Sequence, residues 1–150
     1  MTLSVKVDTK GVTTAQRRLR AINKLISNLR PVLDEVGEAL VENVKNRFNR
    51  SRSPSGKAWQ PTKAGNKPLV RTGALRDSVT HSVSRNKVSV GSPVIYAPIH
   101  QFGGMAGRGH KTRIPARPFL SGYGGELPSD DRRDINRIVR AFIANAIDKN

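Results

Sequence analysis

The sequence predicts an α+β domain: a small, mostly antiparallel sheet packed by N-terminal and C-terminal amphipathic helices, with long basic loops. Three observations carry that reading. Apolar residues recur at helical spacing towards both ends of the chain, they alternate at strand spacing in between, and 150 residues can bury one modest core but hardly two. A single domain over residues 1–150 is therefore expected, with mobile loops at about 49–68 and 103–113.

Leu3, Val5 and Val7 alternate with Ser4, Lys6 and Asp8, which predicts a short half-buried strand. After Gly11, Thr13 or Thr14 caps a helix whose apolar positions Leu19, Ile22, Ile26 and Leu29 fall three and four apart. Pro31 interrupts the run, but a missing N–H is harmless in a first helical turn. Leu33, Val36, Leu40, Val44 and Phe48 carry the period onward as a second helix or a kinked extension. Asp34, Glu35 and Glu38 near its start and Lys45 and Arg47 near its end suit the helix dipole.

From Asn49 to Pro68 the composition turns to Ser, Pro, Gly, Lys and Asn around a single Trp, and an exposed loop is expected. Trp59 is its anchor, either for a partner or for the chain's own core. Thr72 caps a short helical turn through Ser78. His81 and Val83, then Val88 and Val90, flank Arg85 and Asn86 as two strands joined by a tight turn. Ile95 to Phe102 is apolar and aromatic, and Gly103 and Gly104 end it. The glycine-rich stretch to Thr112 is expected to be flexible. Pro115 and Pro118 stiffen the segment bearing Phe119 and Leu120. Ser129 or Asp130 then caps a last helix with an apolar stripe of Ile135, Ile138, Val139, Phe142, Ile143, Ala146 and Ile147. One sheet with helices on one side follows.

Charge narrows the function. There are 27 Lys and Arg against 11 Asp and Glu, a formal net charge of +16. Between Asn43 and Gly125 there are fifteen basic residues and one acid, Asp77. Such a block calls for an acidic partner or a phosphate backbone, and Arg47, Arg50, Arg52, Lys57, Lys63 and Lys67, with Arg71 and Arg76, are the candidate contacts. A solvated charged surface would show the same composition. Only seven aromatics are present and they do not interleave with the cations, which argues against a single-strand stacking platform. Nonspecific DNA binding is the runner-up function.

Catalysis finds little to work with. His81, His100 and His110 lack the spacing of a zinc site, there is no cysteine, and Asp77 alone cannot supply paired carboxylates. Gly103, Gly104, Gly107 and Gly109 do not form a phosphate-cradling pattern between strand and helix. No catalytic residue, metal or cofactor is expected. No apolar run is long enough to span a membrane and the first residues do not read as a signal peptide, so no membrane partner is expected either.

Three linked motifs remain. The first is Pro54, Gly56, Trp59 and Pro61, preceded by Phe48. The second is Leu69 followed by Thr72, Gly73, Leu75 and Ser78. The third runs Val90-Gly91-Ser92, then Tyr96, Ala97, Ile99, His100, Gln101, Phe102, Gly103 and Gly104, then Ile114, Pro115, Ala116, Arg117, Pro118, Phe119 and Leu120. In this order, over about residues 40 to 145, they resemble the phage virion morphogenesis family, whose members complete tails or join them to heads. The segment between Trp59 and Leu69 is short for that pattern, and Met105 to His110 is a glycine-rich insertion.

The resemblance implies a structural protein of the tail or neck, present in the virion and in the host cytoplasm during assembly. It implies a homo-oligomeric ring, a hexamer, that docks other tail and neck proteins and can meet DNA in its lumen. On the residues themselves, Leu69 and Leu75 are expected to pack a turn that Thr72 caps and Gly73 lets approach closely. Tyr96, His100 and Phe102 suit an interface or a core equally, and His100 and Gln101 suit backbone groups. Ile114 to Leu120 is a stiff apolar strip with Arg117 as a forked donor, and with Trp59 it is the expected subunit contact.

Overall fold

Residues 30–50 hold apolar side chains on two flanks of one long helix, so that helix can serve two cores at once. In the computed structural model, which describes residue 4, residues 10–122 and residues 124–149, it does so. Helix α1 (Lys10–Ser27) leads into α2 (Arg30–Arg50). The expected strand at Leu3, Val5 and Val7 lies outside the described residues. Helix α1 starts before Thr13: the Thr14 hydroxyl donates back to the Lys10 carbonyl at 3.1 Å from inside the helix, a geometry that leaves it unable to cap. Between the helices the Arg30 N–H donates to Asn28 Oδ1 at 3.3 Å, and Pro31 falls in the first turn of α2.

The first half of α2 contributes Val32 and Val36 to a cluster with Ile138 of α5 (Ser129–Asp148), flanked by Leu33, Leu40, Ile135, Val139 and Phe142. The second half contributes Val44 and Phe48 to a separate cluster with Trp59, Leu75, Val79, Ala97 and Phe119. Phe48 is the hub, edge-on to Trp59 at 5.5 Å and tilted against Phe119 at 5.1 Å. Full burial of a Phe side chain contributes about 1.5–3 kcal/mol, so this hub is a large part of what holds the loops to the helix.

After α2 comes a short helix α3 (Ala74–Asp77). The Ala74 N–H donates to the Thr72 hydroxyl at 3.3 Å, with Gly73 as the residue at the cap. Strands β1 (Thr80–Ser84) and β2 (Lys87–Gly91) pair antiparallel around the Arg85-Asn86 turn. They lie on α2, and the approach is close because residue 37 is glycine: a Cβ there would overlap the His81 ring. Helix α4 (Ala97–Phe102) follows, ended by Gly103.

One sheet was expected, but the described residues form two separate two-stranded sheets. The second joins β3 (Gly104–Ala106) to β4 (Thr112–Ile114), with Gly104 opposite Ile114. The glycine-rich segment read as flexible therefore contains a hairpin. Its strands are three residues each, too short to show alternation. Position 103 has φ +72°, and a Cβ there would sit 2.8 Å from the Ala116 nitrogen, so glycine is required where the chain crosses residues 114–116.

Helix α1 is anchored least. It packs against α5 and buries only Ala21, while Val12, Leu19 and Ile26 stay more than half exposed.

Candidate assembly surface

Where a side chain's polar atoms are already paired inside the chain, it is not free to bind a partner, so the internal pairings define what surface is left. Arg47 is the plainest case. It was a candidate for DNA or an acidic partner, yet it is only 5% exposed and its acidic partners are its own α5. Its Nη2 donates to Asp131 at 2.7 Å and to Asp130 at 2.8 Å, and its Nη1 donates to the Phe119 carbonyl at 3.0 Å. Asn43 joins the cluster, donating to Asp131 at 3.0 Å and to Asp134 at 2.9 Å. Burial pushes the Asp131 carboxyl above its ordinary value, opposed by Arg47 and Asn43. Asp134 moves the other way, held low first by Asn43 and then by Arg133 and Arg137.

The strip from Ile114 to Leu120 is likewise tied inward. The Trp59 indole donates to the Pro118 carbonyl at 3.0 Å. Gln101 Oε1 accepts from the backbone N–H groups of Phe119 (2.9 Å) and Leu120 (3.0 Å), and its amide donates to the Ser121 carbonyl at 3.1 Å. Arg117 donates from Nε to the Gln60 carbonyl at 3.0 Å and from Nη2 to the Pro61 carbonyl at 3.3 Å. Trp59, Gln101, Arg117, Pro118 and Phe119 are all buried, so these residues of the expected subunit contact serve the chain's own core. The reason is that a polar segment from 49 to 68 with one Trp gains most by folding that Trp onto Phe48, and the strip then closes over it. Leu69 and Leu75 lie in the same cluster, and Ile114 and Leu120 are half-buried.

The segment 49–68, expected as a mobile arm, folds back at Trp59. An Arg52–Ala58 bridge, a Ser53 N–H bond to the Lys57 carbonyl at 2.8 Å and an Arg52 bond to the Gly56 carbonyl at 2.8 Å shape it. Lys67 reaches the Asn49 carbonyl. Arg50, Arg52, Lys57, Lys63, Lys67 and Arg71 are nevertheless exposed, so six of the eight cations named for an acidic partner are on the surface. Lys57 and Arg113 flank a groove of about 380 Å³ over Trp59 and Pro118.

Besides Val12, Leu19 and Ile26 of α1 and Leu127, the large apolar side chains left in solvent lie in α4 or within two or three residues of it along the chain. Ile95 is 95% exposed, Phe102 is 73%, and Tyr96 and Met105 are about half exposed. The Tyr96 ring stands edge-on to His100 at 6.0 Å. Burial, with the positive Arg117 nearby, lowers the His100 pKa below the usual imidazole value, and its Nδ1 is buried without a hydrogen-bond partner. Beside Phe102 lies an apolar cleft of about 230 Å³ between α4 and residues 119–121. Among the described residues there is no cluster of His, Asp and Glu able to hold a metal, and no helix long and apolar enough to cross a membrane.

The fold thus buries Trp59, Gln101 and Arg117 and leaves Ile95, Tyr96, Phe102 and Met105 exposed in and beside one short helix. The motif residues that build this framework lie within a family match over residues 7–144. The chain belongs to the phage virion morphogenesis family. Two relatives agree. It is 36% identical to Mu-like prophage FluMu G protein 2 of Haemophilus influenzae, covering 87% of this chain and 92% of that one. It is 27% identical to a protein of Escherichia phage Mu provisionally named capsid assembly protein G, covering 97% and 96%. No solved structure gives a significant match. As a virion morphogenesis protein, the chain has a structural role in phage assembly.

Sequence reasoning missed Arg47, Asn43, Asp130 and Asp131 as one unit, because the α2 pair lies more than eighty residues from the α5 pair. It also passed over Ile95 and Met105. The signal available for Ile95 was its place between Pro93 and Pro98, in a segment with too few polar residues to be an ordinary surface loop.

Proposed function

We propose that this morphogenesis protein completes the phage tail or joins it to the head, acting as a closed ring of identical copies, a hexamer, docked to other tail and neck proteins. The observation that carries the reading is the display of Ile95, Tyr96, Phe102 and Met105 on a framework locked by Gln101, Arg117 and Trp59. Large apolar side chains exposed within one short stretch of chain are candidates for burial by a partner, and presentation on an ordered framework lowers the ordering cost of docking. Identical subunits that cap a tube do so by head-to-tail contacts that close on themselves.

A second reading, nonspecific duplex binding, is favoured by the exposed Arg50, Arg52, Lys57, Lys63 and Lys67, which would face DNA in the lumen of such a ring. Light scattering on the purified chain across a concentration series, at moderate and high salt, separates the two. Ring formation predicts a discrete oligomer mass that grows in with concentration. A strict monomer that binds duplex with steep salt dependence overturns the ring and leaves the DNA reading. In phage assembly, Ile95→Ser with Phe102→Ser is expected to abolish tail completion while leaving the circular dichroism spectrum unchanged; normal particle yield would remove the apolar patch from the mechanism.

A further inference from the structure

Copies of a chain with formal net charge +16 repel one another, so any ring of them needs a place where opposite signs meet. Five of the eleven acids are already engaged within the chain: Asp130 and Asp131 with Arg47, Asp134 with Asn43, Asp77 with Arg76, and Asp34 with Arg30 and His81. Of the described acids that make no ion pair, which also include Glu126 and Asp148, Glu35, Glu38 and Glu42 form a group. They are exposed on one face of α2, at spacings of three and four, and make no ion pair among the described residues.

Helix α1 is the complement. Its eighteen residues include no acid, and Arg17, Arg20 and Lys24 are exposed at the same spacings of three and four, again with no ion pair among the described residues. Each stripe rises about 10 Å along its helix, so the two match in length as well as sign. Each also holds a like-charged pair four residues apart, Arg20 with Lys24 and Glu38 with Glu42, which destabilises an isolated helix and is relieved by an opposite charge. Because α1 buries only Ala21, most of its surface is free to lie on another molecule.

Resting on the ring reading above, we infer that α1 of one copy lies along α2 of the next, with Arg17, Arg20 and Lys24 facing the neighbour's Glu35, Glu38 and Glu42. The contact joins two different surfaces, as a head-to-tail ring requires. It gives direction and register more than affinity, since exposed ion pairs are individually weak and salt-screened.

The experiment is light scattering of full-length variants over a concentration series, with circular dichroism to confirm folding. Reversing α1 (Arg17→Glu, Arg20→Glu, Lys24→Glu) or α2 (Glu35→Lys, Glu38→Lys, Glu42→Lys) is expected to raise the midpoint of assembly by roughly tenfold or more. A chain carrying both reversals is expected to recover the wild-type mass, and reversal of Arg85 and Lys87 in the β1–β2 turn to leave it unchanged. If the wild type assembles and neither reversal moves the midpoint, or the combined chain is not restored, this contact is wrong while the ring stands. If the wild type stays monomeric at every concentration, the ring reading itself fails and the contact falls with it.

Discussion

Replacing Arg47 by Met would remove the link between α2, α5 and the strip at 119–120 while keeping an unbranched apolar stem in its place. The guanidinium now gives Nη2 to Asp130 and Asp131 at 2.8 and 2.7 Å, and Nη1 to the carbonyls of Phe119 and Leu120 at 3.0 and 3.4 Å. In Arg47→Met, Asp131 becomes a buried carboxylate without its cation, since its side chain is only 6% exposed. Removing one partner of such a pair costs about 3–5 kcal/mol, mostly the penalty of the stranded charge. For a domain of this size a kcal/mol moves Tm by about 2–4 °C, so a fall of roughly 6–20 °C is expected. Urea unfolding followed by the emission of Trp59, the chain's single Trp, checks the free energy directly. Adding Asp131→Leu removes the stranded charge, and the double variant should recover about half of the loss or more. A loss below about 1 kcal/mol for Arg47→Met, or a double variant no more stable than the single, would refute the claim that this pair is what fixes α5 to α2.

Two further substitutions test the framework behind the exposed patch. Gln101→Ala strands the N–H groups of Phe119 and Leu120, at about 1–3 kcal/mol for each buried unsatisfied donor, and hydrogen exchange should show those amides losing protection before the α2 amides do. His100 supplies a pH signature. Its folded pKa lies below the unfolded value, so its contribution to stability is complete above the ordinary imidazole pKa and is lost as pH falls through the depressed folded value. Melting temperature should therefore drop as pH is lowered from about 7 towards 5. His100→Gln should flatten that part of the profile, and an unchanged slope would show that protonation of another group sets it.

The sequence by itself determined the long helices and the family, though not that Ala97–Phe102 is helical. Apolar side chains at spacings of three and four define α2 and α5 whatever packs on them, because a helix's pattern is local and repeats over several turns. The Arg85-Asn86 turn between alternating valines fixed β1 and β2 in the same way. Pro31 at the start of α2 and Gly103 at the end of α4 were readable because each residue has one conformational use there. The ordered motifs from Phe48 to Leu120 sufficed to place the chain in a phage assembly family.

Only the tertiary structure decided which motif residues face inward. Trp59, Gln101, Arg117 and Phe119 have the composition of an interface, and an apolar body with a polar tip suits a partner or a core equally until the neighbours are known. The Arg47 cluster shows the same limit for charge: sequence counts a cation, but whether it repels, binds or is neutralised depends on carboxylates more than eighty residues away. The β3–β4 hairpin escaped for a different reason, since three-residue strands joined through a glycine-containing turn carry no period of their own and are held by the crossing of residues 103 and 116.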